Sequence, residues 1–139
     1  MSFNTDSLQW LPIGISFVAG QIFLTVYFTA IFGERWALAY GPNKTPKEHT
    51  REVPKYTYAI GAASCFGVAL TVALLQAGLA VDGISGALEL GALLSVGLVA
   101  ATITPGYAFL RRWDAYWLAV GSQIALVLLV SAIIGGWPR

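Results

Sequence analysis

A few polar side chains lie inside the long apolar segments of this sequence, and hydrogen bonding and proton exchange are the chemistry that they offer. Glu89 is the only acidic or basic residue within such a segment. An acid inside a membrane is by default a candidate for binding an ion or a ligand, because burying its charge is costly. A structural role is the simpler interpretation, since Glu89 lies near the N-terminus of its predicted helix. There the helix dipole favours a carboxylate and lipid headgroups are within reach.

Gln21 and Gln123 form a second candidate set, because each lies close to the middle of its apolar segment. An amide at that depth needs a hydrogen-bond partner. A mutual hydrogen bond between the first and fourth segments would provide one, at roughly 0.6–2 kcal/mol. We favour this structural interpretation. The alternative is a polar cavity lined by both amides together with Ser64, Ser95 and Ser122.

Residues that bind metals or act as nucleophiles are scarce. Cys65 and His49 are the only cysteine and the only histidine, too few for a zinc site or an iron–sulfur cluster within the chain. The sequence contains no P-loop, no G-x-S-x-G and no H-E-x-x-H pattern. We therefore expect no enzymatic activity, no cofactor and no metal. Because its charges are sparse and clustered, we also expect no nucleic-acid partner.

The composition explains where these side chains must sit. Of the 139 residues, 57% are hydrophobic and only 11% are charged, against roughly 25% charged in a soluble domain. Four segments reach the roughly 20 apolar residues that a membrane-spanning helix needs: about 11–32, 56–81, 84–110 and 115–137. None shows the polar face of a helix in a soluble bundle. The predicted fold is all-α, a single membrane domain over residues 1–139 that forms a four-helix bundle, with a loop at 33–55.

The basic residues predict the orientation of this bundle. Seven of the eight lie in the first and third connections: Arg35, Lys44, Lys47, Arg51, Lys55, Arg111 and Arg112. Helices that cross in alternation place both connections on one face, and the positive-inside rule assigns that face to the cytoplasm. We therefore expect both termini outside, in a multi-pass protein of the cell membrane, specifically a bacterial inner membrane.

One short pattern occurs twice, as Phe-x-x-Arg-Trp at residues 32–36 and 109–113. Both copies close an apolar segment on the predicted cytoplasmic face. Arginine can extend its charge toward phosphates, and tryptophan prefers the headgroup level. Arg35, Trp36, Arg112 and Trp113 are therefore predicted to anchor the bundle at the interface, with the lipid bilayer as partner. Duplication of a helical hairpin is an alternative origin of the repeat.

Small residues predict how the helices associate, because close backbone packing drives association in lipid. Ala59, Ala63 and Gly67 form one stripe at four-residue spacing, and Gly83, Ala87, Gly91 and Ser95 form another. Contacts within one bundle and contacts between protomers both satisfy this pattern. Pro105 predicts a kink or an early helix end, with Thr102 and Thr104 bonding to nearby backbone groups.

The sequence as a whole resembles one known family. A Phe32-Gly33-x-x-Trp36 segment following a span that contains Tyr27, the segment "GALLSVGLVAAT" and the closing "SAIIGGW" are similar to the domain-of-unknown-function 1761 family. That resemblance implies a small protein with four membrane helices, and it implies no reaction or ligand. The chain departs from the family pattern in its long first connection, which contains several prolines.

Two functions are compatible with these features. The first is a non-enzymatic accessory or structural subunit that forms a homo-oligomer or packs into a larger membrane complex through its small-residue stripes. The second is a small transporter or channel with a polar path near Gln21, Gln123 and Glu89.

Overall fold

The computed structural model describes residues 8–40 and 45–138. Within these ranges the α-helices in chain order are α1 (Trp10–Val26), α2 (Gly33–Tyr40), α3 (Pro46–Glu52), α4 (Lys55–Gly78), α5 (Gly83–Leu94), α6 (Ala101–Leu110) and α7 (Trp113–Gly135). A π-helical segment, Tyr27–Ile31, extends α1, and a second, Ser95–Ala100, joins α5 to α6. The described ranges contain no strand, which confirms the all-α prediction.

Among the described residues, four helical stretches are long and apolar enough to cross a membrane, as predicted. We call them span one (Trp10–Ile31), span two (Lys55–Gly78), span three (Gly83–Leu110) and span four (Trp113–Gly135). The helices α2 and α3 lie in the first connection. The end of the bundle that carries this connection and the turn at residues 111–112 is called the basic end. The opposite end, with residues 8–9, 79–82 and 136–138, is called the terminal end.

Span four is the centre of the packing. It contacts each of the other three spans, and 39% of its most apolar stretch is buried, against 17–22% in the others. The largest buried cluster joins spans one, two and four and consists of Ile13, Cys65, Ala69, Val72, Ala73, Leu126 and Val130. Span three reaches this core almost entirely through span four.

Two glycines allow the helices to approach closely. A methyl group on Gly20 would lie 2.7 Å from Sγ of Cys65 and 2.8 Å from Cδ1 of Leu126. A methyl group on Gly91 would lie 2.7 Å from Oγ of Ser131 and 3.0 Å from its Cβ. Spans one, two and four therefore meet at Gly20, and spans three and four meet at Gly91. Such backbone contact is the usual basis of helix association in lipid.

The outer surface is apolar while several interior residues are polar. Phe109 is 90% exposed and Leu93 69% exposed, yet Ser122 and Ser131 are fully buried. A soluble protein would expose a large share of polar and charged side chains instead. Together with the four apolar spans, this distribution is that of a multi-pass membrane protein.

The connection between spans one and two differs from the simple loop expected at 33–55. It contains the helices α2 and α3. Thr45 and Glu48 form a capping box at the start of α3, since the Thr45 amide donates to Oε2 of Glu48 at 2.8 Å and the Glu48 amide donates to Oγ1 of Thr45 at 3.3 Å. This local chemistry, with proline at the first helical position, explains why a polar segment is helical. Lys44, predicted to be cytoplasmic, lies outside the described residues.

Span three does not end early at Pro105, because the helix continues to Leu110. The irregular backbone lies before the proline, in the π-helical segment Ser95–Ala100. The hydroxyl of Thr102 donates to the carbonyl of Leu98 at 2.5 Å, and that of Thr104 donates to the carbonyl of Ala100 at 2.6 Å. Both bonds are local, but they occupy carbonyls within the π-helical segment and not the Ala101 carbonyl, which loses its amide partner at Pro105.

The glycine contact at Gly91 gives a first test. Gly91→Val should lower the stability of the protein in detergent by about 1–3 kcal/mol, because the added side chain overpacks the contact with Ser131. Gly97→Val is the matched control, since a Cβ at Gly97 meets no atom within 4 Å. Thermal unfolding of both variants measures the difference. Equal melting temperatures would contradict the proposed packing of spans three and four.

Candidate functional site

The interior of the bundle holds polar atoms without partners. Within the described chain, five buried side-chain atoms make no hydrogen bond: Ser16 Oγ, Gln21 Nε2, Gln76 Oε1, Ser95 Oγ and Ser131 Oγ. Leaving a buried polar group unpaired costs roughly 1–3 kcal/mol. All four spans contribute at least one of these atoms. Such a group in a folded protein calls for a functional or structural explanation.

We call Ser16, Gln21, Gln76, Ser95 and Ser131 the polar cluster. Gln76 has the largest fully buried side chain among them. Its side chain is 1% exposed, and Nε2 donates to the backbone carbonyl of Ser131 at 3.1 Å. Oε1 lies 3.5 Å from where a Cβ on Gly135 would stand, which is ordinary van der Waals contact, so the amide packs beside this glycine. Gln76 thereby ties span two to span four.

Gln76 also lines a groove at the terminal end. The groove has a volume of about 340 Å³ and lies between the start of span one and the ends of spans two and four. Its wall includes Gln9, Pro12, Ala73 and Ile134. The buried amide of Gln76 therefore borders the groove at the terminal end on one side and Ser131 on the other.

The polar cluster extends from the terminal end toward the middle of the bundle. At 1.5 Å per residue along each helix, Gln76, Ser131 and Ser16 lie about 3, 6 and 9 Å below the ends of their spans. Gln21 and Ser95 follow at about 16 and 18 Å. Unpaired polar atoms thus occur at successive depths over half of the bilayer thickness.

The structure separates the polar residues singled out from the sequence. Gln21 and Ser95 point into the interior, whereas Glu89 and Ser64 are exposed on the outer surface. Gln21 lies beside the Cys65 thiol, whose Sγ is 3.7 Å from the carbonyl of Phe17. Because Gln21 Nε2 has no partner among the described residues, it does not donate the hydrogen bond expected to Gln123.

The remaining two residues of the predicted polar cavity are Gln123 and Ser122. Gln123 is partly buried, and Ser122 is buried with its hydroxyl donating to the Ala119 carbonyl at 2.8 Å. At the basic half of the bundle the hydroxyls of Thr104 and Tyr116 are hydrogen-bonded at 2.9 Å and join spans three and four. The hydroxyls of Ser122, Thr104 and Tyr116 therefore have partners, unlike those of Ser16, Ser95 and Ser131 within the described chain.

Sequence inspection missed Gln76, although a signal was present. Ala69, Val72 and Ala73 precede it at the i, i+3, i+4 and i+7 spacing of one helix face. That face is the buried one, so an amide at its end is directed into the bundle rather than into lipid. The sequence did not show which face of span two would be buried, and the small-residue stripe suggested a different one.

The two small-residue stripes have different surroundings. Ala87, Gly91 and Ser95 are buried against span four, where Ser131 and Gly135 face them. Ala59, Ala63 and Gly67 are exposed, and a Cβ at Gly67 would meet no atom within 4 Å. One stripe therefore packs within the bundle and the other faces outward.

The two Phe-x-x-Arg-Trp segments come together at the basic end. Nη2 of Arg112 donates to the backbone carbonyl of Ala39 at 2.6 Å, near the C-terminus of α2, where a positive charge is favoured. Arg35 lies on the same helix, and the Trp36 ring packs 6.0 Å from that of Phe28. Trp113 stacks edge-on against Tyr116 at 5.6 Å. The Arg112 bond therefore ties α2 to the start of span four, and Trp36 packs α2 against the end of span one.

The described residues contain no group of three or more histidine, cysteine, aspartate or glutamate side chains that could hold a metal ion. The His49 side chain lies outside the described part of the chain. Cys65 is buried and not part of a disulfide.

Comparison with known proteins gives the family of the chain. Residues 11–135 match the model of DUF1761, whose description is "Protein of unknown function". The chain belongs to the DUF1761 family. This confirms the resemblance found in the sequence, and the match includes every residue of the polar cluster. Comparisons with curated proteins and with solved structures find no match.

Proposed function

We propose that this DUF1761 protein is a non-enzymatic accessory subunit that associates with a second copy of itself, alone or within a larger membrane complex, through span two. The observation that carries the proposal is the difference between its two small-residue stripes. Ala87, Gly91 and Ser95 are buried in a contact with span four, whereas Ala59, Ala63 and Gly67 are exposed. The stripe on span three therefore packs against another helix of the bundle, whereas the stripe on span two has no helix partner within the described chain.

The surroundings of span two support this role. Toward the basic end, residues 55–61 are all exposed, so the helix extends beyond the part that packs within the bundle. Ile60 and Phe66 beside the stripe are also exposed. A flat stripe flanked by larger apolar side chains suits the close approach of another helix in lipid.

The orientation of the subunit is part of the proposal. Among the described residues, Arg35, Lys47, Arg51, Lys55, Arg111 and Arg112 all belong to the basic end. The positive-inside rule favours a cytoplasmic location for that end. Both termini then lie outside, and a bacterial inner membrane is the location we propose.

Gly67→Leu should weaken self-association at least about tenfold, because a leucine in the stripe holds two helix backbones apart. Gly61→Leu is the matched control. A Cβ at either glycine meets no atom within 4 Å, but Gly61 lies about 120–160° around the helix from Ala63 and Gly67. Förster transfer between labelled copies in lipid vesicles measures association. A monomeric parent protein, or equal losses in both variants, would contradict the proposal.

A second function is favoured by the polar cluster. A small transporter or channel would place water or a polar solute against the side-chain atoms of the polar cluster that have no hydrogen-bond partner within the described chain: Ser16 Oγ, Gln21 Nε2, Gln76 Oε1, Ser95 Oγ and Ser131 Oγ. The groove bordered by Gln76 is the entrance from the terminal end. This path differs from the one expected from sequence, because Glu89 is exposed on the outer surface.

Water access distinguishes this second function. In a Cys65→Ala background, Ser131→Cys should react with a small water-soluble thiol reagent at least about tenfold faster than Val130→Cys, since only a hydrated thiol ionises readily. Val130 is as fully buried as Ser131 and serves as the control. Equally slow reaction at both positions would exclude a hydrated path through the polar cluster.

A further inference from the structure

The basic end carries two adjoining grooves that the functions above do not use. The larger has a volume of about 520 Å³ and lies between α2, the end of span one and the start of span four. The smaller, of about 380 Å³, lies between α2 and the turn that joins spans three and four. Leu38, Ala39 and Asp114 line both grooves, so the two form one continuous depression, which we call the arginine groove.

Three arginines border the arginine groove. Arg35 lines the larger part, and Arg111 and Arg112 line the smaller. Asp114 is the only carboxylate on its wall. In the described part of the chain no ion pair is formed by any of these four side chains. Three positive charges against one negative charge make the groove electropositive.

Backbone geometry brings Arg111 and Arg112 to the arginine groove. Arg112 is held by its hydrogen bond to the Ala39 carbonyl, which uses one of the five N–H donors of a guanidinium. Arg111 adopts a left-handed backbone conformation with φ of 53°, and its amide donates to the Ala108 carbonyl at 3.1 Å. The turn places two consecutive arginines on the wall of the smaller groove, together with Leu38 and Ala39 of α2.

The charged groups of the arginine groove and its position at the headgroup level indicate which ligand it binds. Guanidinium groups bind phosphate oxygens in pairs of parallel hydrogen bonds. Trp113 and Trp117 line the same groove, and tryptophan marks the level of lipid headgroups. Basic pockets between membrane helices are known sites for anionic headgroups. The larger groove continues to the aromatic rings of Tyr27 and Phe32, against which acyl chains can lie.

We propose that the arginine groove binds the phosphate of an anionic membrane lipid, with Arg35, Arg111 and Arg112 as phosphate ligands. Zwitterionic lipids carry the same phosphate with a compensating cation and bind less tightly. The carboxylate of Asp114 repels the phosphate and so lowers the affinity of the groove for the lipid. The proposal is independent of self-association and of a polar path.

Native mass spectrometry of the purified full chain, exchanged into phosphatidylglycerol or phosphatidylcholine mixed with detergent, tests this inference. The parent protein should retain phosphatidylglycerol over phosphatidylcholine. Arg35→Gln combined with Arg111→Gln should reduce that retention by about tenfold or more, because charge-assisted hydrogen bonds are lost. The control is Lys47→Gln combined with Arg51→Gln, which removes two charges from the same end but outside the groove.

Asp114→Asn is the second variant, and it should increase retention of phosphatidylglycerol. Misfolding cannot increase the retention of phosphatidylglycerol. The Asp114→Asn variant therefore tests the groove even if the double arginine variant is unstable. Equal retention of the two lipids, equal loss in the control, or no gain with Asp114→Asn would overturn the proposal. Adding inorganic phosphate separates the two sources of this chemistry. If millimolar phosphate displaced the lipid, the ligand of the groove would be a soluble anion and the proposal of a lipid ligand would be wrong.

Discussion

Close backbone contact around span four is the constraint on which the rest of this structure depends. In lipid, apolar side chains gain little by leaving their surroundings, so helices are held together by packing and hydrogen bonding. Gly20 and Gly91 permit that packing, since a methyl group at either would collide with Cys65 or Ser131. Span four can therefore contact three helices at once. The other spans are arranged by their contact with it.

This arrangement determines where polar groups lie. Helices that approach through small residues bring Ser131 against Gly91 and Gln76 against Gly135, in a region closed to lipid. Nearer the basic end, the hydroxyls of Thr104 and Tyr116 are hydrogen-bonded to each other. From the terminal end to the middle of the bundle, five buried polar atoms are unpaired within the described chain. Hydrogen bonding in the interior thus differs between the two ends of the bundle, as the charge does.

The features that depend on local composition were predictable from the sequence. The four spans and the all-α fold follow from apolar length. Features that depend on helix rotation were not predictable. Glu89 is exposed, Gln76 is buried, and only one small-residue stripe packs inward, because each outcome depends on which face of a span meets span four. The helices α2 and α3 were missed because their stability comes from capping at Thr45 and from the Arg112–Ala39 contact rather than from apolar periodicity.

Cysteine labelling in intact cells tests most directly whether the bundle crosses a lipid bilayer with its basic end in the cytoplasm. In a Cys65→Ala background, Ser85→Cys places an exposed thiol in the first turn of span three, next to the terminal end, and Lys47→Cys places one at the basic end. An impermeant maleimide should label Ser85→Cys in intact cells, and Lys47→Cys only after the membrane is permeabilised. Labelling of Lys47→Cys alone in intact cells would contradict the proposed orientation, and labelling of both thiols in intact cells would contradict a membrane-spanning bundle.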